Sequence, residues 1–183
     1  MPRLFIAIFP DHDTATTLSA RAIGAARPSD AWRVTSIHHL HLTLHFLGTV
    51  DRRRSDEIIE SVERSAAGLR GFTLRADHVA TLPVTGDPRV LAALTDSPPD
   101  MLEIQRRAFH RLANREQRKR GNRFKPHLTI ARASVSTVER CDGASFEPVT
   151  IPVQEICLVR SELSQTGARY EVVHRVGLGP ERR

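Results

Sequence analysis

The stretch "HLHLTLHFLG", His39 to Gly48, decides how this chain is read. In a strand, successive side chains alternate between two faces. His39, His41, Thr43 and His45 then share one face, and Leu40, Leu42 and Leu44 share the other. The leucine face can enter a core while the polar face lines a cleft. Part of the run returns as "PHLTIAR", Pro126 to Arg132, with His127 and Thr129 on one face and Leu128 and Ile130 on the other. The two His-Leu-Thr copies are separated by close to half of the 183 residues. One His-x-Thr on a strand says little. Two copies, each followed by an apolar residue and set half a chain apart, point to chemistry rather than coincidence.

Two such strands side by side would present two imidazoles and two hydroxyls to one space. Histidines titrate near neutrality, so one can act as an acid and the other as a base. Threonine hydroxyls are neutral donors for phosphate oxygens. Arg132 adds a charged, planar donor fork. This set suits hydrolysis of a phosphodiester, especially a strained cyclic one, and needs no metal. A metal site built from His38, His39, His41 and His45 is the alternative, because imidazole is a common ligand for zinc and copper. No cysteine or paired carboxylate lies nearby in sequence to complete it, so no metal and no cofactor are expected. His38 and His39 otherwise read as surface residues, and His45 as a residue lining the cleft. His78, His110 and His174 read as surface or packing histidines.

Around these segments the chain alternates strand-like and helical patterns. "RLFIAIF" reads as a buried strand, and "DHDTATTLSARAIGAA" as a capped helix. "RVTSIHHLHLTLHFLG" reads as one strand to Gly48, and "DRRRSDEIIESVERSAAG" as an amphipathic helix. "FTLRADHVATL" is a strand, and "VTGDPRVLAALT" a turn and a strand. "PPDMLEIQRRAFHRLANREQRKRG" is a helix opened by prolines and closed by Gly121. At its end "NREQRKRGNR" reads as a solvated basic loop, or as a contact for a phosphate backbone. "HLTIARA", "VTIPVQEICLVRSEL" and "ARYEVVHRV" are strands, and "SVSTVERCDGASFEP" is a polar loop. The order predicts an α+β fold with mainly antiparallel sheet.

The length fits a single two-lobed domain over residues 1–183. Apolar residues are 40% and charged residues 26%, as in ordinary globular proteins, and the net charge of +6 favours anionic partners, nucleic acid above all. Cys141 and Cys157 form no CxxC pattern, so a structural zinc site or disulfide framework is not expected. The opening "MPRLFIAIFP" is too short for a signal core or a membrane span, and no apolar run approaches 18 residues. A cytoplasmic protein without membrane contact is expected.

"RLFIAI", "HLTLHFLG", "FKPHLTIAR" and "SELSQTGARYEVV" resemble, in order and spacing, the two-histidine phosphoesterase superfamily. Within it they are most similar to the RNA 2′,3′-cyclic phosphodiesterases, also called 2′-5′ RNA ligases. The resemblance implies a two-lobed, pseudo-symmetric fold with antiparallel sheets facing a central cleft and helices outside. It implies a metal-independent hydrolase, acting as a monomer, that opens a 2′,3′-cyclic phosphate on RNA or a nucleotide and leaves a 2′-phosphate. His41 would be the proton donor and His127 the proton acceptor, with Thr43 and Thr129 on the phosphate. Arg132 matches a family arginine, and Phe46, at the same offset from its histidine, matches a base-stacking aromatic. Strict alternation puts Phe46 and Arg132 opposite the histidines, and a bulge at a shared position would turn both into the cleft. Tyr170 is the only tyrosine and Trp32 the only tryptophan, which leaves few aromatics for stacking. Rival readings are a sister enzyme on small cyclic nucleotides or 2′-5′ linkages, and an RNA-binding module without turnover.

Overall fold

The computed structural model describes residues 3–135, 138–141, 143–164 and 167–181. Ser136, Thr137 and Asp142 of the polar loop, and Gln165 and Thr166 of the C-terminal segment, lie outside the described residues. Strand β1 (Arg3–Ile8) leads into helix α1 (His12–Ala26), whose N-cap Asp11 accepts from the Thr14 amide at 2.9 Å. There follow β2 (Trp32–Val34), a 3₁₀ turn (Ile37–His39) and β3 (Leu42–Thr49). The chain continues with α2 (Ser55–Ala66), β4 (Phe72–Leu82), β5 (Val90–Thr95), α3 (Pro99–Leu112) and α4 (Arg115–Arg120). It closes with β6 (His127–Ala133), β7 (Ser145–Val153), β8 (Glu155–Ser164) and β9 (Gly167–Gly177).

All strand pairs are antiparallel, and the hydrogen-bonded order is β7-β4-β5-β6-β3-β1-β8-β9, with β2 paired to β6. The order has two halves of four strands that meet at β6 and β3. The expected two sheets are thus one continuous ladder, but the halves join through a single residue pair, Leu42 opposite Leu128. Helix α1 packs on β7 and β4, while α3 packs on β3 and α2 on α3, β8 and β9. The main core lies between helices and sheet: Ile6, Leu42, Leu44, Leu128 and Ile130 meet Leu18, Ile58 and Ile104 there. On the other face Phe5, Ala7, Cys157 and Val159 form a small second cluster with Phe9 and Tyr170. Burial pushes the Cys157 thiol up to about 11, so it is inert at neutral pH.

Four segments depart from the sequence reading, one of them the end of the polar loop, where residues 145–148 open β7. Residues 33–48 are two strands rather than one, because both need the same edge of β6: β2 takes Ala131 to Ala133, β3 takes Leu128, and the 3₁₀ turn carries the chain between them. The helix over 98–121 breaks after Leu112. Asn114 starts a new helix with a capping box, its side chain accepting from the Gln117 amide while Gln117 accepts from the Asn114 amide, both at 2.9 Å. The basic segment is therefore largely helix, not loop. Residues 149–163 split at Gln154, since β7 belongs to the β4 side of the ladder and β8 to the β1 side.

Candidate active site

Pairing Leu42 with Leu128 fixes what lies beside it. In this antiparallel register His41 stands across from Thr129, and Thr43 across from His127. Each histidine therefore neighbours the other motif's threonine. A cavity of about 310 Å³ is lined by His41, Thr129, Arg132, Arg33, His39 and Tyr170. A second, of about 380 Å³, is lined by Thr43, His127, Phe46, Phe109, Gln117 and Phe124, among others.

Both imidazoles are held in the same way. His41 Nδ1 bonds the His39 carbonyl at 2.7 Å, and His127 Nδ1 bonds the Lys125 carbonyl at 2.7 Å. A carbonyl can only accept, so Nδ1 carries the hydrogen in each ring and Nε2 is left to the cleft. This explains the 3₁₀ turn, which presents the His39 carbonyl to His41. Burial holds the His41 ring below the ordinary histidine value, with the His39 bond opposing and the charges of Arg132, His39 and His127 adding to the depression. Burial likewise lowers His127, the Lys125 bond opposes, and the charges of Arg132 and Lys125 add to it. His41 sits among aromatic rings, with centroids 5.0 Å from Phe5, 5.2 Å from Tyr170 and 5.5 Å from Phe9.

Strict alternation fails at one matching place in each motif. Against β1, Thr43 and His45 pair with consecutive residues, so Leu44 is extra; against β5, Thr129 and Ala131 do the same, so Ile130 is extra. Each bulge lies three residues past its histidine. The next residue is driven into the core, and the one after emerges on the cleft side. Phe46 is 48% exposed, and Arg132 is exposed and lines the first cavity.

The same bulge changes the face of His45, which nevertheless lines the second cavity with Thr43 and His127. Its ring does not share the face of His41 but is 6% exposed, packed at 5.9 Å against Phe109. It bonds the Leu112 carbonyl, its Nε2 has no hydrogen-bond partner, and burial lowers its pKa. His38 is exposed and stacks on His12 at 5.6 Å. His39, read as a surface residue, lines the first cavity with its ring 5.0 Å from Tyr170. Among the described residues, no three of His, Cys, Asp or Glu converge as metal ligands.

Several residues were not legible beforehand. Tyr170 reaches His41 from β9, a contact only the tertiary fold creates. Arg33 stands opposite Arg132 across β2 and β6, and like charges so placed repel unless an anion lies between them. Gln117 donates Nε2 to the Phe46 carbonyl at 2.6 Å, fastening α4 to β3. Gln105 and Asn122 exchange two amide bonds of 3.0 and 2.7 Å, tying the loop that carries Lys125 to α3.

The family model of the 2′-5′ RNA ligase superfamily matches residues 14–165. The chain belongs to this superfamily, the two-histidine phosphoesterases. A relative from Thermus thermophilus, called RNA 2′,3′-cyclic phosphodiesterase, is 31% identical over 98% of this chain and 91% of its own. A solved structure, also from Thermus thermophilus, superposes with a TM-score of 0.80 at 28% identity, covering 98% of this chain and 100% of that one. The E. coli LigT structure complexed with phosphate gives 0.73 at 26% identity, covering 97% and 98%. Two-histidine superfamily members are phosphoesterases, and the α+β architecture described above is theirs.

Proposed function

We propose that this chain is an RNA 2′,3′-cyclic phosphodiesterase that works by two-histidine acid–base catalysis without a metal. The observation that carries the reading is the crossed pair: each histidine faces the other motif's threonine, with Nε2 turned to the cleft. Water attacks phosphorus and passes a proton to His127 Nε2. The bond from phosphorus to the 3′ oxygen breaks, and that oxygen takes its proton from His41 Nε2, leaving a 2′-phosphate. Thr43, Thr129 and Arg132 hold the phosphate oxygens, and Phe46 offers a face to the base. The Thermus relative's name and the phosphate in the E. coli structure support this chemistry. Ligation would run through the same groups with their roles exchanged. The test is an oligoribonucleotide ending in 2′,3′-cyclic phosphate, incubated with EDTA. A 2′-phosphate product supports the reading; a 3′-phosphate, or loss of turnover with EDTA, overturns it.

The pH dependence follows from the site. Both imidazoles lie below 6.5, and kcat/KM reports the free enzyme. One ring must be protonated and the other neutral, so kcat/KM is expected to peak below pH 6.5. It falls on the acid side as the acceptor gains a proton, and on the alkaline side as the donor loses one. Arg132→Gln removes a cation that repels both imidazoliums, which raises both pKa values. The whole bell then moves to higher pH while its height drops with the lost phosphate contact. A bell that stays in place would show that Arg132 does not act on the pair.

A further inference from the structure

The net charge of this chain is concentrated in eleven residues. Between 115 and 125 lie Arg115, Arg118, Lys119, Arg120, Arg123 and Lys125 against the single acid Glu116, a net +5 of the chain's +6. Two of these are engaged locally: Lys119 pairs with Glu116 at 3.2 Å, and Arg118 donates to the Ala113 and His110 carbonyls at 2.9 and 2.6 Å. Arg120, Arg123 and Lys125 are exposed, and among the described residues no carboxylate pairs with them. All three line the cavity that opens on Thr43, Phe46 and His127.

This charge is held in place. At one end Gln117 bonds the Phe46 carbonyl on β3, and at the other Asn122 is locked to Gln105, which is only 4% exposed. The cavity's volume of about 380 Å³ is at the small end for ligand sites, with room for one nucleotide. Anything longer than its terminal nucleotide must extend beyond the cavity, and this cationic strip forms part of its wall.

Building on the proposed function, we infer that Arg120, Arg123 and Lys125 hold the phosphates upstream of the RNA terminus, so that the chain selects RNA strands over cyclic mononucleotides. A cyclic mononucleotide carries a single phosphate, which the histidines and threonines take, and leaves these three cations without a phosphate to hold. A strand adds phosphate contacts, each strengthening with falling salt.

The test compares wild type with R120E/R123E on a hexaribonucleotide ending in 2′,3′-cyclic phosphate and on the matching 2′,3′-cyclic mononucleotide, between about 50 and 200 mM salt. At low salt the variant should lose about tenfold or more in kcat/KM on the hexamer beyond whatever it loses on the mononucleotide. Its slope of log kcat/KM on log salt should shrink by about 1.4, two phosphate contacts at about 0.7 each on a single strand. R120Q/R123Q should fall between the two. An unchanged hexamer rate, or equal losses on both substrates, overturns the inference. If wild type opens neither substrate, the proposed function fails on its own. Fluorescence anisotropy of a hexamer ending in 2′-phosphate then decides the strip: weakened binding by R120E/R123E supports it, and equal affinity overturns it.

Discussion

His127→Ala is expected to lower kcat on a 2′,3′-cyclic phosphate end by about 10²–10⁴-fold, with KM changed little. In the proposed mechanism the ring supplies the base, its Nδ1 held by the Lys125 carbonyl, and alanine leaves nothing within reach of the attacking water. The proposed phosphate ligands Thr43, Thr129 and Arg132 stay in place, so binding should persist while proton transfer does not. His41→Ala should cost a similar factor by removing the proton given to the leaving oxygen. The double variant should be little worse than either single one, because the two groups act as a unit. The pH profiles then separate the roles. With His127 as acceptor, His127→Ala loses the acid limb and keeps the alkaline one, and His41→Ala does the reverse. The opposite pattern would exchange donor and acceptor, and variants that keep wild-type rates would remove both histidines from the mechanism. Circular dichroism checks that each variant is folded.

How far the sequence could be read depended on whether a feature was periodic or tertiary. β4 and β6 coincide with the segments picked by alternation, Phe72–Leu82 and His127–Ala133, because both pack one apolar face on the core. The paired motifs were legible for the same reason. Alternation put His45 on the face of His41, but a bulge inserts one residue and moves the side chains just after it to the other face, from which His45 lines the second cavity. That shift is also what brings Phe46 and Arg132 to the cleft. The break at Asn114 carried a visible signal, since Asn followed three residues later by Gln is a capping box, but the basic composition of the segment outweighed it. Tyr170, Arg33 and the Gln105–Asn122 pair carried no such signal. Each reaches the site from an element distant in sequence, so only the assembled sheet makes it a neighbour.

The pair that joins the two halves should be the most sensitive point of the core. Leu42 and Leu128 are 0% and 1% exposed, and theirs is the one residue pairing between β3 and β6 among the described residues. Leu42→Ala or Leu128→Ala is expected to cost about 2.7–5 kcal/mol, the range for leucines lost from well-packed cores. For a chain of this size that lowers Tm by on the order of 10 °C, read by thermal denaturation. Leu102, on the exposed side of α3 at 42%, is the control, and its alanine variant should change stability by less than about 0.5 kcal/mol. Because each leucine directly follows a histidine of the proposed acid–base pair, the loss should not stop at stability. At a temperature where the variant is fully folded, kcat should still fall, since a displacement of about 1 Å between reacting groups can cost about 10²-fold. Leu42→Met keeps the volume and should restore most of both quantities. Stability lost with kcat intact would mean that the spacing of the two imidazoles is set elsewhere, by the His39 and Lys125 carbonyls alone. Loss of both together would make the Leu42–Leu128 contact the joint that holds two half-sites as one.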